Sequence, residues 1–209
     1  MDTPASSSLE TLKDIRNIME RSGRFISLSG WSGIAAGCWA LAGAALASRE
    51  FTYLRTGEID WAGGLSEHRV NLILLGLGIF LGALVSAFLF TYRRSRREGV
   101  PIWGNAAKRL VWNTAIPLLA GGVLVVRLIY KDLGGLVAPV CLLFYGLALV
   151  NGSKYTLGEV RYLGYALLVL GALNCWMPGY GLYFWALGFG VLHIVYGAWM
   201  WTKYEKPHR

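Results

Sequence analysis

Long runs without a single Asp, Glu, Lys or Arg divide this chain and leave it few folds to choose from. Phe25–Ala47, Val70–Tyr92, Leu110–Val126 and Leu133–Val150 are each uncharged, and so is everything from Tyr162 to Thr202. A bilayer core about 30 Å thick takes about 20 apolar residues of helix, each rising about 1.5 Å. The last run is too long for one crossing. Met177-Pro178-Gly179-Tyr180-Gly181 sits inside it, and Pro with Gly ends a helix and permits a tight reversal. The pattern predicts an all-α, polytopic membrane protein. Six transmembrane helices are expected at about 25–47, 70–92, 110–130, 133–150, 157–177 and 181–202, with cytoplasmic tails at 1–24 and 203–209.

Basic residues set the expected orientation. Most of the 20 Lys and Arg fall in the N-terminal tail, the second and fourth loops and the C-terminal tail. Only Arg49, Arg55, Arg69, Arg127 and Lys131 lie in the first and third loops, and the fifth has none. Positive charge stays cytoplasmic, so both termini are expected inside. The net charge of +8 is then topogenic, and no nucleic-acid partner is expected. The patch Arg93, Arg94, Arg96 and Arg97 follows a span directly and suits anionic lipid head groups at the cytoplasmic face.

A polar stretch precedes the first apolar run, so no cleavable signal peptide is expected. Cys38, Cys141 and Cys175 lie far apart within spans. They predict packing residues rather than a disulfide framework or a metal site. In the N-terminal tail, Ser7-x-x-Glu10 reads as a capping box. Leu9, Leu12, Ile15, Met19 and Ile26 follow at helical spacing, predicting an amphipathic helix on the inner face that could carry a cytoplasmic protein partner.

Helices in lipid associate through close packing of small residues. Ser29, Gly33 and Gly37 offer such a stripe on the first helix, as do Gly78, Gly82 and Ser86 on the second. Ala186, Gly190, His193 and Gly197 share a face of the sixth. Packing within one chain is expected, with a homo-oligomer as the alternative. Trp176, Tyr180, Tyr183 and Trp185 at one end, and Trp199, Trp201 and Tyr204 at the other, are the interfacial belts that amphipathic rings form.

His193 is the readily titratable side chain placed deepest in a span, and an intramembrane ionisable group marks a candidate site. Tyr145, Tyr165, Cys141, Thr114 and Ser86 fall at comparable depth. A bland alternative is a neutral ring bonded to a neighbouring hydroxyl or carbonyl. Ligation of haem by His68 and His193 is excluded, because the two would lie about 18 Å apart in depth. In the fourth loop, Lys154, Arg161 and the first N–H groups of helix five could bind a small anion, while Asn151-Gly152 signals a turn and Thr156-x-x-Glu159 a capping box. Asn71, Arg127 and Asn174 could meet toward the outer half. No nucleophile elbow, phosphate loop or paired intramembrane carboxylates occur, and no cofactor or metal is expected.

Phe144-Tyr145-Gly146-Leu147-Ala148-Leu149-Val150-Asn151-Gly152-Ser153-Lys154-Tyr155-Thr156, then Arg161-Tyr162-Leu163-Gly164 and His193-Ile194-Val195-Tyr196-Gly197, resemble a group of bacterial six-span inner-membrane proteins with no assigned activity. The resemblance implies a location in the bacterial inner (cytoplasmic) membrane and nothing about chemistry. The residues point to a non-catalytic interaction or sensing component. A small-solute permease or channel with a polar site near His193, Tyr145 and Tyr165 is the alternative, and a membrane redox or lipid-modifying enzyme a second.

Overall fold

The structure is a computed structural model that describes residues 28–55, 67–99 and 102–206, with backbone alone for 50–55 and 67–69. The N-terminal amphipathic helix, His208 and the side chain of His68 lie outside the described residues. Every regular element described is helical. These are α1 (Gly30–Arg55), α2 (Glu67–Glu98), α3 (Asn105–Tyr130), α4 (Val137–Gly152), α5 (Val160–Cys175) and α6 (Gly181–Tyr204). A 3-10 turn at Gly134–Leu136 leads into α4 and another at Ser153–Tyr155 closes it.

Five of these are long and apolar enough to cross a membrane: α1, α2, α3, α6, and α4 taken with its flanking turns as Gly134–Tyr155. The sixth, α5, has 16 residues and rises about 24 Å. It is shorter than the expected 157–177. Thr156 is extended at φ −137° and the turn after it delays the helix to Val160, while Trp176 already ends it. The expected reversal after it is present. Gly179 takes φ +92°, a left-handed conformation that favours glycine.

Glycines draw the packing. A Cβ on Gly30 would lie 2.5 Å from Gly197 O and from Trp201 N, and one on Gly37 would lie 2.6 Å from Gly190 O. The small-residue stripes of α1 and α6 therefore face each other within one chain. On the other side of α1, Gly82 of α2 receives the Trp39 indole, whose Nε1–H donates to Ser86 Oγ at 3.0 Å. Gly146 and Gly164 bring α4 and α5 together backbone to backbone, and Gly121 of α3 accepts Phe144 of α4. Gly188 of α6 meets Leu142 of α4 and Leu167 of α5, both fully buried.

The helices follow in space as α2, α1, α6, then the α4–α5 pair, with α3 against α4. Thus α2 and α3 are the edges. Leu74, Leu77, Phe80, Leu84 and Phe88 of α2, and Ile116, Leu119, Val123 and Val126 of α3, are more than half exposed. Apolar faces of this size are uncovered in water only at a cost; a bilayer covers them.

Candidate functional site

His193 lies where a wide turn meets a regular one. Residues Ala186–Leu192 of α6 are π-helical, and His193 starts the α-helical part that follows. Its ring folds back along its own helix. Nδ1 sits 2.9 Å from the carbonyl oxygen of Gly188 and Nε2 3.2 Å from the hydroxyl of Tyr145 on α4. A carbonyl only accepts, so Nδ1 carries the proton, and Nε2 is left to accept from Tyr145 O–H. Phe189 stacks beside the imidazole with centroids 6.0 Å apart, and Tyr145 closes the group at 5.2 Å from Phe189. The ring is 5% exposed. Both nitrogens are spent, which is what a buried imidazole requires.

Tyr165 does not join this group. It stands half exposed on α5, edge-on to Tyr162. Helical depth brought it level with His193, but depth does not say which face a residue occupies. Thr114 bonds its own helix through Leu110 O at 2.9 Å, and Ser86 bonds Trp39.

The densest polar network lies at the C-terminal end of α6, around two carboxylates. Glu205 accepts from the Gly30 N–H at 2.5 Å, from Ser29 Oγ at 3.2 Å on both oxygens, and from Arg94 Nη1 at 3.3 Å. Arg94 also donates from Nη1 to Leu28 O at 2.6 Å and from Nε to Glu98 at 2.7 Å. One guanidinium thereby ties the end of α2 to the start of α1 and the end of α6. Beside it, Glu159 in the α4–α5 turn takes Lys203 Nζ at 2.5 Å and the Tyr204 hydroxyl. Partial burial pushes the Glu159 carboxyl up, but hydrogen bonds from Lys203 and Tyr204 outweigh it and hold the group below its ordinary 4.5.

This network changes two expectations. Arg94 is 11% exposed at its side chain and faces inward, unlike Arg93, Arg96 and Arg97, which are exposed. Glu159 does not stand three residues into α5. It precedes the first residue of α5, whose cap has no side-chain bond, and its carboxylate goes to α6 instead. Sequence reasoning missed Glu205 as a partner altogether. The one available signal was a carboxylate between Lys203 and Lys206 at a membrane end otherwise rich in positive charge.

The two fourth-loop bases do not come together. Lys154 is exposed, and Arg161 donates from Nε to Gly158 O at 3.3 Å while lying over the Tyr162 ring. Asn71, Arg127 and Asn174 do not meet either. Asn71 is exposed and Arg127 lies over Tyr130, because α2 and α3 are at opposite edges. Asn174 is buried, donating from Nδ2 to Met177 O at 3.4 Å, and its Oδ1 has no partner among the described residues. An open cleft of about 230 Å³ between the α3–α4 and α5–α6 turns is lined by Asp132, Leu133, Leu136, Asn174, Cys175 and Pro178. Among the described residues, no three of His, Cys, Asp and Glu gather so as to hold a metal ion.

Comparison with protein-family models, with curated proteins and with solved structures finds no match.

Proposed function

We propose that this chain is a six-span integral membrane protein of the bacterial inner membrane, with both termini cytoplasmic, acting through interaction or sensing rather than catalysis. The observation that carries this reading is the state of His193. Its two nitrogens are used by Gly188 and Tyr145 inside packed side chains, so the deepest ionisable group in the spans serves to hold α6 on α4. A permease would need that group to face a water-filled path.

Support for six crossings comes from how the helix ends pair. The start of α1, the end of α2 and the α4–α5 turn all bond the end of α6. Those are the segments that carry the excess of Lys and Arg. For the short α5, its packing along α4 at Gly164 and Gly171 and the turns at each end extend it toward the full depth. The N-terminal segment and the basic α2–α3 loop are then presented together to the cytoplasm.

Two measurements test the reading. Single cysteines at residues 103, 154 and 206 should react with a membrane-impermeant thiol reagent only after the membrane is opened, while one at 133 or 180 reacts in intact cells. The reverse pattern, or a split between 154 and 206, defeats the topology. Deletion of residues 1–22 should remove cytoplasmic crosslinking partners. If every partner and the loss-of-function phenotype survive the deletion, the interaction reading fails.

A further inference from the structure

The α2–α3 connection gathers basic side chains that have no carboxylate partner among the described residues. Arg93, Arg96 and Arg97 fall within one turn on the last part of α2, on one side of the helix at i, i+3 and i+4. Lys108 and Arg109 sit in the opening turns of α3. All are exposed. None of their charged heads has a hydrogen bond or ion pair to another side chain among the described residues; Arg96 lies over the Tyr92 ring at 5.6 Å. Arg94 is the exception in the cluster, and its inward bonds to Leu28 O and Glu205 hold the end of α2 in place beneath the others.

The tether between Glu98 and Asn105 reaches about 25 Å at full extension, which keeps the two sets of bases at one end of the molecule. Trp103 and Trp112 stand 63% and 69% exposed beside them, and such rings prefer the depth of lipid head groups. Next to the bases, the apolar flanks of the edge helices are open, at Phe88 and Leu89 on α2 and at Val111 and Leu119 on α3. The chemistry of this face is a set of phosphate-pairing cations above two uncovered apolar surfaces.

We infer that the basic end of α2 and the basic start of α3, tethered at one end of the molecule, each bind anionic phospholipid. Lipid phosphates are held by Arg93, Arg96 and Arg97 on α2 and by Lys108 and Arg109 on α3, and the acyl chains lie on the open side of each helix. The inference rests on the membrane reading above, which sets this end at the bilayer surface, and it adds a ligand class and its residues.

The test uses the full chain reconstituted in phosphatidylcholine vesicles containing a minority of phosphatidylglycerol, followed by mass spectrometry of the lipids that remain bound on extraction. Phosphatidylglycerol should be enriched several-fold over its bulk share. The several-fold enrichment should fall to near the bulk share in Arg93→Gln, Arg97→Gln and the double variant Lys108→Gln/Arg109→Gln, since each base contributes up to about fivefold. Arg127→Gln/Lys131→Gln, at the other end of α3, should leave it unchanged. A bulk lipid ratio in the wild type overturns the inference, as does equal loss in the Arg127/Lys131 control. Co-purified nucleic acid that leaves with the same variants, in place of lipid, overturns it too. Vesicle flotation separates these outcomes from failure of the membrane reading, since a protein that does not insert does not float.

Discussion

His193 has its proton assignment dictated by an acceptor that cannot donate, and that makes its partner testable. Tyr145→Phe leaves Nε2 buried with no donor and should lower stability by about 0.6–2 kcal/mol, read as thermal unfolding in detergent micelles. Tyr165→Phe, on the half-exposed surface of α5, should leave unfolding unchanged. Equal effects would mean that the Tyr145 bond contributes nothing. Glu159 allows a second test through pH. Its folded carboxyl titrates below the ordinary value, so its contribution to stability is complete above about pH 4.5 and is lost as pH falls through the lower, folded value. The unfolding temperature should therefore drop with acidification below pH 4.5, and Glu159→Gln should flatten that part of the profile. His193 and Tyr145 were legible as residues, because an uncharged run isolates them and helical rise gives their depth. Tyr165 shared that depth but not the face, and depth alone has no term for rotation about the helix axis.

For the elements, the glycine stripes separate positions that look alike along the chain. Gly30→Ala and Gly197→Ala each drive a Cβ against backbone of the facing helix, at 2.5 Å and 2.6 Å. Backbone yields less than a flexible side chain, so each should cost about 1–3 kcal/mol. Gly78→Ala on α2 meets nothing within 4 Å and should be neutral or slightly stabilising, since alanine favours helix. Unfolding of the three variants by denaturant checks the ordering, and a destabilised Gly78→Ala with an intact Gly30→Ala would invert it. The stripes themselves could be read from spacing. Which of them meet could not, because four-residue spacing describes a face without its partner. The reversal between α5 and α6 was legible from Pro178 and Gly179. The π-helical stretch was not, since the apolar residues of Ala186–Leu192 suit either kind of turn.

Across the whole molecule, the end of α6 is the junction that α1, α2 and the α4–α5 turn share. Removing one member of a hydrogen-bonded charge pair leaves the other poorly solvated. Arg94→Gln and Glu205→Gln should each lower stability by about 1.5–3 kcal/mol, and the double variant should cost less than the two losses combined. Arg97→Gln, exposed nearby, should stay within about 0.5 kcal/mol. A double-variant cycle in detergent decides, and strict additivity would mean that the pair does not act as one. The charge pattern made this end of the molecule legible as a surface rich in Lys and Arg, yet it could not separate the arginine that faces inward from those that do not. That distinction depends on Glu205, more than a hundred residues away. The wide turn in α6 adds a constraint of another kind. An α-helix advances about 100° per residue, and a π turn absorbs an extra residue without advancing the phase in step. Gly188, early within it, is matched to α4 and α5, whereas Gly197 and Glu205 downstream are matched to α1 and α2. Deleting the half-exposed Leu187 would let the helix close into a regular spiral with the later faces still in phase, whereas winding all seven residues as regular α-helix would turn everything after them by about a quarter revolution. The chain would then have every residue needed for its contacts and be one tooth out of mesh.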